Sequence, residues 1–143
     1  AAGTVSWMAP ELFGLRPRYS EKSDVYALGM VFWELAACQL PYAGVIEGEI
    51  RDSVRRGERE EIPEGIDETF KGLITNCWSQ LAEERPTSRT VALRLSGLQE
   101  QGFFSRVARA AGAAPTIEPP SAGYEAIGGG VTAEPPSVGY HNL

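Results

Sequence analysis

The stretch from about Glu21 to Cys38 constrains this chain most, because read as a helix it is apolar on most of its sides. Val25, Leu28, Phe32 and Leu35 recur at i, i+3, i+7 and i+10, and Tyr26, Met30, Trp33 and Ala37 form a second stripe on another face. A helix of that kind belongs inside a domain, so the rest of the chain has to supply what encloses it. Ser20 is placed to cap its start and Pro41 closes the segment. Gly29, in its middle, costs about 1 kcal/mol relative to alanine, which predicts a close backbone approach there. The apolar uncharged run from Val25 to Trp33 stops at Glu34 and is too short to cross a bilayer.

Further helices are spaced to do the enclosing. The pattern predicts a surface helix from about Ile46 to Arg56, with Ile50 and Val54 facing inward and Gly57 as its stop. After Pro63-Glu64-Gly65, Phe70, Leu73, Ile74, Cys77, Trp78 and Leu81 make an amphipathic run that Asp67 is placed to cap. A last helix starts near Thr87, after Pro86, carries Val91, Leu95 and Leu98, and stops around Gly102. No alternating strand of convincing length occurs, so the folded part is expected to be all-α.

Composition changes near Ser105. The 39 residues from there hold 6 Gly and 5 Pro and few large apolar groups. Too little surface can be buried to offset the entropy of ordering, which predicts a disordered tail over residues 105–143 behind a folded unit of residues 1–104. Within the tail Glu118-Pro119-Pro120-Ser121-Ala122-Gly123-Tyr124 returns as Glu134-Pro135-Pro136-Ser137-Val138-Gly139-Tyr140. Two copies are too few for a solenoid; they read either as neutral low-complexity expansion or as paired linear motifs.

Scarcities exclude whole classes of function. The formal charge of −6 argues against a general nucleic-acid binder, which needs a basic face. The one histidine, His141, rules out a His-based triad or a zinc site with His ligands in the body of the chain. The aspartates are Asp24, Asp52 and Asp67. Cys38 and Cys77 lie far apart in apolar stretches and are expected as two buried free thiols. No Asn-x-Ser/Thr sequon and no signal peptide are present, which points to the cytoplasm.

Three segments carry a resemblance. Gly3-Thr4-Val5-Ser6-Trp7-Met8-Ala9-Pro10-Glu11 resembles the end of a kinase activation segment, finishing in Ala-Pro-Glu. Tyr19-Ser20-Glu21-Lys22-Ser23-Asp24-Val25-Tyr26-Ala27-Leu28-Gly29, followed by Trp33-Glu34-Leu35, resembles the buried central helix of the kinase C-terminal lobe. Cys77-Trp78 followed by Glu84-Arg85-Pro86-Thr87 is similar to the closing helices of the tyrosine-kinase and tyrosine-kinase-like groups. In this order, over roughly residues 1–102, they resemble the C-terminal lobe of a eukaryotic protein kinase of the tyrosine-kinase-like group. Two peripheral loops depart from the family: Ser79 to Glu84 lacks the common Asp-Pro, and Glu60 stands where proline commonly follows Gly-x-Arg.

The resemblance implies roles. Glu11 of Ala9-Pro10-Glu11 pairs with Arg85, a structural contact beneath the surface on which a substrate peptide lies. Asp24 accepts backbone N–H bonds from the catalytic loop, at a helix start that favours an anion. Thr4 lies beside the catalytic aspartate and favours Ser/Thr phosphorylation, where tyrosine kinases usually have proline. The parts that hold ATP and Mg²⁺ do not occur here: no Gly-x-Gly-x-x-Gly, His-Arg-Asp or Asp-Phe-Gly is present. N-lobe and catalytic loop would lie upstream of Ala1, and the chain alone is expected to bind no cofactor and to transfer no phosphate. Two functions compete: a fragment of an active Ser/Thr kinase acting on protein substrates, or a pseudokinase or scaffold that uses the preserved lobe for protein binding. Tyr124 and Tyr140, each in a Tyr-x-x-aliphatic pattern, could add a partner that reads phosphotyrosine.

Overall fold

The computed structural model describes residues 5–112. Among them there are helices and turns and no strand, the all-α architecture expected of the helical lobe of a kinase. Five α-helices follow two short 3-10 turns at Val5–Trp7 and Pro10–Leu12: α1 (Glu21–Ala37), α2 (Glu47–Arg55), α3 (Glu68–Cys77), α4 (Ser88–Glu100) and α5 (Phe103–Gly112). A third 3-10 turn, Ala82–Glu84, joins α3 to α4.

α1 is the hub. It packs against α3, the Val5–Trp7 turn and the Ala82–Glu84 turn, while α2 covers the two N-terminal turns and α4 bridges α3 to α5. Ser20 starts α1 as anticipated: its Oγ accepts the Lys22 N–H at 3.2 Å, and Ser23 Oγ accepts the Ser20 N–H at 3.2 Å in return. Asp67 caps α3, accepting from the Thr69 and Phe70 N–H groups at 2.9 and 3.2 Å. Gly57, at φ +85°, takes the left-handed conformation that ends α2. Gly29 is where α1 meets α3, and any Cβ there would run into Cys77.

Several expectations need correcting. α1 is not enclosed all round: Val31 and Leu35 are 39% and 64% exposed, on the face that Asp24 heads and that Leu28 only half buries. The described residues cover two sides of α1 and leave this third stripe open. Leu81 is exposed because α3 stops at Cys77, where the Trp78 N–H bonds back to the Ile74 carbonyl and the chain turns away. Cys77 is buried but Cys38 is exposed, since it sits at the left-handed C-cap of α1 (φ 52°), past the helix's covered part.

The boundary expected at residue 105 falls inside α5. Phe103 is buried against Phe70, ring centroids 5.0 Å apart, and Phe70 in turn meets Phe32 at 5.7 Å. This aromatic series ties the first turn of α5 to α3 and α1, so the folded unit extends through Gly112. The Gly- and Pro-rich composition from residue 105 onward hides this helix, because its anchor, Phe103, lies two residues before that stretch begins. Residues 113–143, with both repeats, Tyr124 and Tyr140, lie outside the described residues, as does Thr4.

Candidate functional site

Ala9 is fully buried and extended (φ −67°, ψ 149°), and Pro10 opens the following turn with a ring already set for helical φ. That turn aims Glu11 at Arg85. Arg85 arrives from the other side, after the Ala82–Glu84 turn, in the extended conformation that a following proline imposes (φ −73°, ψ 143°).

The two meet as a bidentate pair: Arg85 Nη1 to Glu11 Oε1 at 2.7 Å and Nη2 to Oε2 at 2.9 Å. The Arg85 side chain is wholly buried and that of Glu11 is 20% exposed. The remaining guanidinium donors reach carbonyls of Lys22 (2.9 Å), Ser79 (2.9 Å) and Gln80 (3.4 Å), so all five N–H groups are used. Lys22 Nζ returns a bond to the Arg85 carbonyl. Ser23 Oγ donates to Glu11 Oε1 at 3.1 Å, joining the α1 cap to the pair. Burial raises the Glu11 carboxyl, but the hydrogen bonds and charge of Arg85 outweigh it and hold the group below its ordinary value of 4.5.

Beneath the pair lies an aromatic support that the sequence reading did not single out. The guanidinium carbons of Arg85 and Arg59 each lie 5.1 Å from the centroid of the Tyr26 ring. Arg59 Nε also donates to the Trp78 carbonyl at 3.0 Å. The Tyr26 hydroxyl is buried with no hydrogen-bond partner among the described residues, and burial pushes its ionisation well above the ordinary 10.0. Tyr26 counted in sequence as an apolar stripe residue. Only its place between two arginines distant in sequence shows the second role. Glu60, the departure from the family's proline, accepts the Tyr42 N–H and so holds the α1–α2 loop.

Asp24 is separate from this cluster. Its side chain is exposed on the open face of α1 and accepts no hydrogen bond among the described residues. The other aspartates are engaged elsewhere, Asp52 beside Arg55 at 3.7 Å and Asp67 as a helix cap. Among the described residues no group of three or more His, Cys, Asp or Glu side chains could hold a metal ion.

The description of protein tyrosine and serine/threonine kinases matches residues 1–95, which include the buried pair, α1 and α3. The chain belongs to that kinase family. A probable serine/threonine-protein kinase of Dictyostelium discoideum is 37% identical to this kinase chain over 94 residues, covering 66% of the chain and 8% of that protein. The serine/threonine-protein kinase CTR1 of Arabidopsis thaliana is 37% identical over 92 residues, 64% of the chain and 11% of that protein. The tyrosine-protein kinase SYK of Gallus gallus is 38% identical over 92 residues, 64% of the chain and 15% of that protein. The kinase chain thus spans a small fraction of each of these relatives. Proteins named as serine/threonine kinases and one named as a tyrosine kinase are both among its relatives, at 37% and 38% identity.

Proposed function

We propose that this chain is the helical-lobe portion of a Ser/Thr protein kinase of the tyrosine-kinase-like group, and that it supplies the peptide-substrate platform and the packing base of the catalytic loop. The observation that carries this is the open face of α1. A central helix with Leu28, Val31 and Leu35 in a row below an unengaged Asp24 is shaped for a segment that covers the stripe and offers N–H groups to the carboxylate. The catalytic loop of the family meets both requirements. On the opposite side, the Glu11–Arg85 pair holds the Val5–Phe13 segment, which continues from Thr4, the residue that favours Ser/Thr acceptors. ATP and Mg²⁺ would be held by residues outside this chain, and the reaction would take place in the cytoplasm on protein hydroxyls.

The test compares the chain alone with a full-length protein that contains it, each given labelled ATP, Mg²⁺ and peptides bearing Ser, Thr or Tyr. The reading expects no transfer by the chain alone, and transfer to Ser and Thr but not Tyr by the full-length protein. Turnover by the chain alone would sink the assignment of the nucleotide site elsewhere. A full-length protein that binds no nucleotide would be a pseudokinase or scaffold instead. A phosphotyrosine-reading partner at Tyr124 and Tyr140 is tested by comparing what unmodified and doubly phosphorylated tail peptides retain; identical sets would leave the repeat a neutral linker.

A further inference from the structure

The Val5–Phe13 segment is held at a second point that is independent of Arg85. Phe13, two residues past Glu11, is 6% exposed and lies under α2. The guanidinium carbons of Arg51 and Arg55 are 5.4 and 6.0 Å from its ring centroid, and Arg55 Nη2 donates to the Phe13 carbonyl. The two arginines are one turn apart and share a face of α2. Each has a carboxylate of its own helix nearby, Glu47 at 3.6 Å from Arg51 and Asp52 at 3.7 Å from Arg55, which preorients the long side chains. Between the two holds is an open cleft of about 580 Å³, lined in part by Pro10, Glu11, Arg18, Arg55, Leu81 and Glu83.

We propose that Arg51 and Arg55 are positioning residues for the peptide substrate, acting through Phe13. This rests on the reading of the Val5–Phe13 segment as the peptide platform. Burial of Val5 and Ala9 fixes the first half of the segment and the bidentate pair fixes Glu11, which leaves the end beyond Glu11 free to swing unless something else holds it. A grip on both the ring and the carbonyl of Phe13 removes that freedom and sets the tilt of the platform. The first hold is buried; the second lies at the surface, with the Arg55 side chain 49% exposed. The second hold is therefore the one that salt weakens. Loss of this hold changes the placement of the platform, so its effect is read in the peptide KM.

The experiment uses a full-length protein containing this chain, with steady-state kinetics in peptide and in ATP. Arg51→Met combined with Arg55→Met is expected to raise the peptide KM about three- to tenfold, as small misplacements do, with the ATP KM within about twofold. Phe13→Leu, which keeps an apolar filler but removes the ring, should reproduce the shift. Arg55→Lys, which keeps a charge and a donor, should restore most of the peptide KM. Arg56→Met, beside them but paired only with exposed groups, serves as the control, and melting curves check that each variant folds. An unchanged peptide KM in both the double variant and Phe13→Leu overturns the inference. So does an ATP KM that rises in parallel. Absence of phosphate transfer by the unmodified protein overturns the kinase reading itself, and this inference with it.

Discussion

Gly29 of α1 crosses Cys77 of α3 so closely that a Cβ on Gly29 would lie 2.7 Å from the Cys77 Cβ and 3.2 Å from the Trp78 nitrogen. Two backbones meet there with no flexible side chain between them to yield. Gly29→Ala gains about 1 kcal/mol of helix propensity but must push the helices apart, and overpacking of this kind costs about 1–3 kcal/mol. A net loss of stability is expected, read as a lower denaturant midpoint. A midpoint at or above that of the unmodified chain would mean that α1 and α3 separate freely.

Arg85 is the most consequential polar side chain in the described structure. Arg85→Ala strands Glu11 and empties a buried site, and removing one partner of a buried pair costs about 3–5 kcal/mol. Arg85→Lys should recover only part, since an ammonium cannot form the bidentate contact. A double-mutant cycle with Glu11→Gln should show coupling, and simple additivity would rule out the pair as a stabilising unit.

Acid should act through the same pair. The folded-state value of Glu11 lies below its ordinary 4.5, so its contribution is fully present above that value and is lost as pH falls through the folded one. Stability measured from pH 7 downward should decline in that window, and Glu11→Gln should flatten the decline. Identical acid limbs for the two proteins would show that Glu11 does not gain from Arg85.

Two tyrosines contribute to the alkaline limb, together with the Cys77 thiol, which burial pushes up to about 11. Burial raises Tyr26 well above 10.0 and pushes Tyr42 up to about 12. The neutral forms of Tyr26 and Tyr42 are therefore the folded ones, with their contribution to stability complete below pH 10 and falling as pH rises towards the folded values. Tyr26→Phe removes a buried hydroxyl that has no partner among the described residues while keeping the ring between Arg59 and Arg85. It should be neutral or stabilising by up to about 1 kcal/mol, because no hydrogen bond is given up. A clear destabilisation would reveal a bound water on that hydroxyl.

The two thiols should differ. Cys38 is exposed, whereas Cys77 is fully buried and burial pushes its thiol up to about 11. A chromogenic disulfide reagent at neutral pH should label Cys38 in the folded chain and reach Cys77 only after unfolding. Prompt labelling of both would show that the α1–α3 contact opens under native conditions.

Much of this was legible because it is local. Ser20, Asp67 and Thr87 each cap a helix start through their own side chains, and the 3.6-residue period marked Val25, Phe32, Phe70, Ile74 and Val91 as inward-facing. The missed features are non-local. Leu81 matched the helical period but lies past the end of α3 at Cys77, where the chain turns away towards Arg85. The Phe103 anchor was lost in an average over a Gly- and Pro-rich stretch, because its value depends on Phe70, more than thirty residues away. Leu35 fitted an apolar stripe whose exposure depends on what else covers α1.

By itself the sequence determined the helices, their caps, the family motifs and the absence of a strand pattern, since each follows from neighbours within one or two turns. Tertiary structure alone decided that all five donors of Arg85 are satisfied, that the Tyr26 ring meets two guanidinium groups, that α2 grips Phe13, and that the described residues leave one face of α1 open with Asp24 at its head. Periodicity reports that a side chain faces away from water on its own helix. It carries no information on which distant segment arrives to meet it, because that choice is made by the packing of all the helices at once.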